Sequence, residues 1–346
     1  MNLTILIPAL NEEKTIGQVI DSIPKKIEGI DQITTLVVDD GSNDNTSKIA
    51  KEKNATVIRH IKNKGLGKAF HSGLEFCIQN QIDILVTIDA DNQFDAKEIP
   101  KLVQPLINHE ADFVTGSRFV DPSYIPKNMP LIKQWGNKFI AKIISWATKK
   151  KINDCSCGFR AYGKEAILNL NLFGKFTYTQ ETLLDLAYKG LVIKEVPITV
   201  RYFDDRESRV AHSILGYGFK SGNIILRTVK DYRPLKFFGL SGLFIFGNGL
   251  ILDGFVLNHY FRQGTFSPYK MIGFLGAFLV AVGIMIIFIG ILADLIDKIR
   301  LTQEKILYNE KKKLHLNNTP TTTNNNERLH KTPYKDKINS LEIIEK

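Results

Sequence analysis

Short runs of Ile, Val and Leu recur along the first 120 residues, and each is followed by a stretch whose apolar positions repeat at helical spacing. Leu3–Pro8, Thr34–Asp39, Thr56–His60, Ile82–Asp89 and Ala111–Gly116 read as buried strands, since short continuous apolar runs need cover on both faces. Helices are expected between them, at Glu13–Ile23, Thr46–Asn54, Gly67–Gln79 and Ala96–Asn108. This alternation predicts an α/β fold of right-handed crossover units, a mostly parallel sheet with helices on both faces. Such sheets bind ligands outside the carboxyl ends of their strands. Candidate chemistry is therefore sought there.

Past residue 120 the pattern loosens and then changes kind. Pro130 to Lys150 fits an amphipathic helix with Trp135, Phe139, Ile143, Ile144 and Trp146 among its apolar positions, and a polar turn follows at Asn153–Gly158. A helix is expected over Thr179–Tyr188 and a strand over Val192–Val200, whereas Arg201–Val210 mixes both charge signs and reads as a loop. Phe237–Leu257 is apolar apart from Asn248 and Asp253, and the 23 residues of Met271–Ala293 carry no charge. About 20 apolar residues span a bilayer, so the two segments predict a transmembrane hairpin, with a buried core hairpin as the alternative. Asn248 and Asp253 would need partners there. From Leu314 onward the chain is rich in Asn and Thr without apolar periodicity, the composition of a disordered tail. The expected organisation is a domain over 1–210, a juxtamembrane interfacial segment over 211–233, the hairpin over 234–296 and a basic, largely disordered tail over 297–346.

The chain of 346 residues has a net charge of +10, and its distribution matters more than its size. Arg227, Lys230, Arg233 and Lys236 precede the apolar pair; Lys298, Arg300, Lys305 and Lys311–Lys313 follow it, and the linking turn carries only Arg262 and Lys270. The positive-inside rule then places both termini in the cytoplasm. Membrane-flanking charge explains much of the basicity, and no aromatic-interleaved basic platform points to nucleic acid. Three cysteines, Cys77, Cys155 and Cys157, make no disulfide framework. With no leader pattern before the first strand, the first domain is expected in the cytosol.

Three acidic clusters fall where predicted strands end: Asn11-Glu12-Glu13, Asp39-Asp40 and Asp89-Ala90-Asp91. In a parallel sheet these ends converge, and crowded carboxylates repel unless a cation or hydrogen-bond donors join them. Asp89 and Asp91, one residue apart, leave the strand on one face and suit a divalent metal bridging to a phosphorylated ligand, with Gln93 near enough to add a neutral oxygen. A turn or cap is the alternative. Asp39-Asp40-Gly41-Ser42 suits hydrogen bonding to a base or ribose, and equally a turn with a helix cap. The turn after the first strand, Pro8-Ala9-Leu10-Asn11-Glu12, lacks the glycine fingerprint of dinucleotide folds, and Gly65-Leu66-Gly67-Lys68 lacks the spacing of a Walker loop.

Taken in order, Ile7-Pro8-Ala9-Leu10-Asn11-Glu12-Glu13, Val38-Asp39-Asp40-Gly41-Ser42, Asn63-Lys64-Gly65-Leu66-Gly67-Lys68, Asp89-Ala90-Asp91-Asn92-Gln93 and Gly116-Ser117-Arg118-Phe119 resemble the family-two glycosyltransferases. The similarity is greatest to their dolichyl-phosphate mannose synthase and polyprenyl-phosphate glycosyltransferase branch. Asp154-Cys155-Ser156-Cys157-Gly158-Phe159-Arg160 and Glu195-Val196-Pro197-Ile198 continue it. The resemblance covers about residues 3–210. It implies a GT-A fold, inversion at the sugar carbon, a UDP- or GDP-sugar donor and dolichyl or polyprenyl phosphate as acceptor. It places nucleotide contacts at Pro8, Asn11, Glu12, Asp39, Asp40, Lys68 and Asp89, and Mg2+ or Mn2+ on Asp89, Asp91 and Gln93.

An acceptor that is a phosphate monoester is already anionic near neutral pH, so the site needs cations more than a base. Arg118, Lys133, Arg206 and Arg209 are the candidates, and Asp91, Arg118, Arg206 and Arg209 form the expected catalytic set with Glu181, which could orient the acceptor or support the fold. Two departures from the family pattern leave open which cation meets phosphate. Lys127 and Lys133 stand where a second arginine is common, and Arg201 to Arg209 lacks the usual glycine. Ser213–Arg233 would lie on the lipid surface, or be a plain linker. A hydroxyl acceptor on a glycolipid or polysaccharide, and a non-catalytic nucleotide-sugar-binding membrane subunit, are the alternatives. A homo-oligomer is compatible with either.

Overall fold

The computed structural model describes residues 1–126, 128–171, 178–201, 234–317 and 341–343. They form two compact units, 1–224 with 307–346, and 225–306. Arg206, Arg209, Lys127 and the segment Ser213–Arg233 lie outside the described residues.

The first unit is built on strands β1 (Asn2–Ala9), β2 (Gln32–Asp39), β3 (Thr56–His60), β4 (Ile84–Thr87), β5 (Phe113–Ser117), β6 (Arg160–Gly163), β7 (Ile193–Pro197) and β8 (Leu341–Ile343). They lie in one sheet in the order β7-β5-β6-β4-β1-β2-β3-β8. The pairs β1–β2, β1–β4, β2–β3 and β5–β7 are parallel; β4–β6, β5–β6 and β3–β8 are antiparallel. Helices α1 (Ile16–Ser22), α2 (Thr46–Glu52), α3 (Leu66–Gln79), α4 (Ile99–Ile107), α5 (Leu131–Thr148), α6 (Lys164–Asn169) and α7 (Thr179–Tyr188) complete the unit. The mostly parallel sheet expected from the apolar runs is present.

Both faces of β1 are buried, which is why its sequence is apolar without alternation. Leu3, Ile5 and Ile7 join Ile16, Val19, Leu102 and Val103 in one core cluster. Leu6 points the other way, toward α3, where a Cβ on Gly73 would come within 2.4 Å of it. Phe70 stacks on Tyr178 at 4.3 Å on that side.

Two differences from the expected elements bear on the site. The fourth strand ends at Thr87, short of Asp89. Ile88 N–H still donates to Leu6 O, but Pro8, two residues on, has no N–H to continue the ladder, and the chain carrying Asp89 and Asp91 leaves the sheet there. The other difference is β6, an antiparallel strand within Arg160–Gly163 that no apolar run announces.

The second unit contains helix α8 (Pro234–Gln263) and α9 (Lys270–Asn317) up to residue 306. Both are long and apolar enough to cross a membrane. They meet through glycines: a Cβ on Gly249 would fall 2.8 Å from Gly276 O, and one on Gly242 would fall 2.9 Å from Gly283 O. Backbones that approach this closely are how apolar helices gain contact where lipid is as apolar as leucine. Asn248 finds a partner in its own helix, donating to Phe244 O at 2.8 Å, and the Asp253 side chain lies against Gly276. Within the tail expected to be largely disordered, Leu341–Ile343 pair with β3 as a strand and residues 297–317 are helical, α9 continuing past Ala293 to Asn317. Ion pairs one turn apart, Asp294–Lys298 and Asp297–Arg300, support that stretch.

Filling the β1–α3 contact tests the packing of the first unit. Gly73→Val is expected to destabilise it by about 1–3 kcal/mol through overpacking against Leu6, read as a lowered melting temperature of the detergent-solubilised protein.

Candidate active site

At the carboxyl end of the sheet the loops after β1 and β2 are knitted together. Asn11, left-handed at φ 52°, donates its N–H to Ser42 Oγ and accepts from Asn43 N–H on Oδ1, both at 2.8 Å. Glu12 N–H donates to Thr46 Oγ1 at 2.8 Å, and Glu13 Oε2 accepts from Asn45 N–H at 3.1 Å. The two loops behave as one surface.

Beneath that surface lie two buried acids with opposite surroundings to those at the front. Asp39 accepts from Ser42 N–H at 2.8 Å and from the Ser47 hydroxyl, with Arg59 Nε 3.7 Å away. Asp40 lies 2.6 Å from His60 Nδ1 and accepts from Lys64 and Gly65 N–H at 2.9 and 2.7 Å. Burial alone would raise the Asp40 carboxyl, but the bonds from His60, Lys64 and Gly65 hold it below the usual range. An ionised carboxylate only accepts, so His60 Nδ1 carries the shared proton. His60 Nε2 then lies 2.9 Å from Ser72 Oγ on α3. The same Asp40 bonds fix the segment leading to Lys68 in the first turn of α3. Gly41, at φ +84°, lets this segment close: a Cβ there would sit 2.8 Å from the backbone of Lys62 and Asn63.

At the front, Asp89, Asp91 and Glu12 are half-buried. Withdrawal from water, reinforced by the charges of Asp91 and Glu12, pushes the Asp89 carboxyl up to about 7, against the pull of Arg160. Asp91 Oδ1 accepts from Gln93 N–H at 3.0 Å in a turn made possible by left-handed Asn92 (φ 61°). Gln93 O in turn accepts from Arg201 N–H at 2.8 Å. Among the described residues no group of three or more His, Cys, Asp and Glu side chains closes into a metal cage. Two crowded carboxylates and an amide fit an ion such as magnesium, which takes one or two carboxylates and leaves its other positions to phosphate oxygens and water.

The turn 153–158 forms the opposite wall. Arg118, only 8% exposed, forks onto Asp154 through Nε (2.7 Å) and Nη2 (2.9 Å), and Nη2 also donates to Ser156 Oγ at 2.7 Å. Burial would raise Asp154, but the guanidinium and its hydrogen bonds hold the carboxyl low. Glu195 on β7 accepts from Asn153 and Asp154 N–H at 2.9 and 2.8 Å. Arg160, fully buried, donates to the carbonyls of Cys157 and Cys155 at 2.8 and 3.3 Å and to Thr182 Oγ1 at 2.7 Å, tying the turn to α7. Gly158 presses on the acids: a Cβ there would lie 2.9 Å from Asp89 Oδ2. The three thiols are buried, and burial pushes Cys157 up to about 12. They are inert packing groups.

Residues 4–170 match the family described as Glycosyl transferase family 2. A relative from Methanococcus voltae, named UDP-N-acetylglucosamine–dolichyl-phosphate N-acetylglucosaminyltransferase, is 35% identical over 62% of this chain and 91% of its own length. The chain belongs to this family. The undecaprenyl-phosphate mannosyltransferase of Micrococcus luteus is 27% identical over 62% of this chain and 90% of that one. Among solved structures, glucosyl-3-phosphoglycerate synthase of Mycobacterium tuberculosis with UDP superposes with a TM-score of 0.53 at 23% identity, covering 66% of this chain and 80% of that one. It has also been crystallised with Mn2+ and UDP-glucose. The GT-A type of fold expected from the motifs is thereby shown.

In this glycosyltransferase, Pro8, Asn11, Glu12, Asp39, Asp40, Asp89, Asp91 and Gln93 lie on the loops and strand ends at one edge of the sheet, and Lys68 lies in the first turn of α3. Arg118 stands just beyond β5, paired with Asp154. Glu181 occupies the first turn of α7, beside the Thr182 that Arg160 holds. Lys133 is in the first turn of α5, and its side chain lies outside the described part. Sequence reasoning missed His60, Asp154, Arg160 and Glu195 as site-building residues. The acid–base pairing of a buried arginine was the available signal, since a buried charge needs a partner.

Two outcomes test this arrangement. The folded Asp89 keeps its proton to about 7, whereas an unfolded carboxyl releases it near 3.8, so the metal-free fold loses stability as pH rises between those values. With chelator present, Asp89→Asn is expected to raise the melting temperature at pH 8 and leave it nearly unchanged at pH 4. Gly158→Ala, whose methyl would meet the Asp89 carboxylate, is expected to cut sugar transfer by on the order of tenfold or more, in a radiolabelled transfer assay.

Proposed function

We propose that the protein transfers a hexose or N-acetylhexosamine from a nucleotide-diphosphate sugar to dolichyl or polyprenyl phosphate, with inversion, on the cytoplasmic face of a membrane. The observation that carries this reading is the half-buried pair Asp89 and Asp91 beside Glu12 at the sheet edge of a family 2 chain. Relatives named for dolichyl-phosphate and undecaprenyl-phosphate transfer support the acceptor. The Methanococcus relative's name supports a uridine donor as the first to test. The two apolar helices support an integral membrane protein, and the lysines and arginines flanking them support cytoplasmic termini.

In this reading the joined loops around Asn11, Glu12, Asp39 and Asp40, with Lys68, receive the nucleoside. A divalent cation, Mg2+ or Mn2+, held by Asp89, Asp91 and Gln93 would supply Lewis-acid stabilisation of the departing diphosphate. An acceptor phosphate oxygen forms the bond to the anomeric carbon as the bond to the donor diphosphate breaks, and the nucleoside diphosphate leaves with that electron pair. The acceptor oxygen is already anionic, so the chain need not remove a proton. Arg118, Lys133, Arg206 and Arg209 are the cations available to hold that phosphate, and Glu181 to orient it. The Arg118–Asp154 fork keeps its guanidinium fixed at the wall of the site.

The test is transfer by detergent-solubilised protein to dolichyl or undecaprenyl phosphate, from UDP- and GDP-sugars, with and without Mg2+ or Mn2+. Metal-dependent label in the lipid phase is expected, reduced by about 10²-fold or more in Asp91→Ala. Label on a hydroxyl lipid instead would reassign the acceptor. Tight nucleotide binding with no turnover of any donor would indicate a non-catalytic subunit.

A further inference from the structure

Helix α5 buries one apolar face, and its uncovered face also carries large apolar side chains. Asn137, Ile140, Ala141 and Ile144 are buried against the first unit. On the other side Leu131, Trp135, Phe139 and Trp146 are 81, 68, 52 and 78% exposed. At 3.6 residues per turn these four positions and the exposed lysines Lys138, Lys142 and Lys149 fall within an arc of about 100°. Trp135 and Phe139 stack on each other at 5.4 Å, so their rings present one continuous apolar surface. From Leu131 to Lys151 the chain has six lysines and no acidic residue.

We propose that this outer face of α5 is a membrane-interfacial surface that seats the glycosyltransferase unit on an anionic lipid headgroup layer. Tryptophan and phenylalanine favour the boundary between headgroups and acyl chains, and lysines beside them reach the phosphates with their long stems. An aromatic stripe edged by cations, on a helix with no opposing charge, matches an anionic bilayer in both shape and sign. The same chain carries two helices long enough to cross a bilayer, so such a surface is at hand. A second copy of the chain would bring lysine against lysine across a two-fold contact, which argues for lipid as the occupant.

The placement also bears on the site. Asn137, on the inner face of the same helix, accepts from the Ser156 hydroxyl at 2.9 Å and donates to Asn153 O at 3.2 Å. Ser156 Oγ is a partner of Arg118. Lipid on one side of α5 is therefore two side chains from the Arg118–Asp154 pair, which brings a headgroup-level phosphate to the wall of the crevice. The inference rests on the membrane location proposed above but on neither the donor nor the acceptor.

Trp135 and Trp146 are the two tryptophans of the chain, so fluorescence excited selectively at tryptophan reports this face alone. The full-length protein would be placed in nanodiscs of phosphatidylcholine and phosphatidylglycerol, with acyl chains either plain or brominated near the headgroup. Brominated lipid is expected to quench emission at least about twofold, with a blue shift and shielding from aqueous iodide, and the same in Trp135→Phe and Trp146→Phe. Quenching by iodide without response to bromolipid would overturn the proposal. Shielding from both quenchers would also overturn it and assign the face to a second copy. Failure to co-elute with nanodiscs would instead refute the membrane location itself.

Discussion

Five carboxylates, those of Glu12, Asp39, Asp40, Asp89 and Asp91, are brought to one edge because parallel strands all end on the same side. The rest of the site follows from how that repulsion is relieved. Asp39 and Asp40 sit deeper and are relieved from within, by backbone N–H groups, hydroxyls and the His60 ring. Asp89 is relieved much less: burial first, and then the charges of Asp91 and Glu12, push its carboxyl up. The fold thus separates acids satisfied by internal donors from acids that remain crowded at the front of the crevice. The nearest internal cation, Arg160, is committed to carbonyls of the turn 155–157 and to α7.

The opposite wall obeys the same rule with the signs exchanged. Arg118 and Arg160 are buried and would be costly alone. One is matched by Asp154 and the other by a ring of carbonyl and hydroxyl oxygens. Glu195, reaching from β7, organises the turn that carries Asp154, so the last strand of the sheet reports directly to the site. That strand lies beside β5, which ends next to Arg118.

Much of this was legible in the sequence, and the exceptions have identifiable causes. Apolar runs such as Leu3–Pro8 announced strands because both faces needed cover, and the acidic residues after them marked the edge. The end of β4 was not legible, because it is set by a missing donor on a different strand, Pro8. Strand β6 was hidden because its sequence, Arg-Ala-Tyr-Gly, places a charge in the interior that carbonyls of the preceding turn and a hydroxyl on α7 satisfy. Pairings such as Asp40–His60 and Arg118–Asp154 join residues 20 and 36 apart and leave no local periodicity. The helical stretch 297–317 was assigned to the tail, although its acids and bases stand at i, i+3 and i+4 spacing with those of the preceding turn.

The joined loops after β1 and β2 have an evolutionary consequence. Asn11 N–H donates to Ser42 Oγ while Asn11 Oδ1 accepts from Asn43 N–H, and Glu13 accepts from the backbone N–H and side-chain amide of Asn45. A substitution at one of these positions strands a group on the other loop, so its effect depends on what the partner is. Neighbours in one network are strongly non-additive, so replacements in these two joined loops are coupled across the pair. Among the described residues the exposed aromatic pair Trp135 and Phe139 of α5 has a ring contact in place of such hydrogen bonds, so one apolar residue there can replace another singly while the face keeps its character.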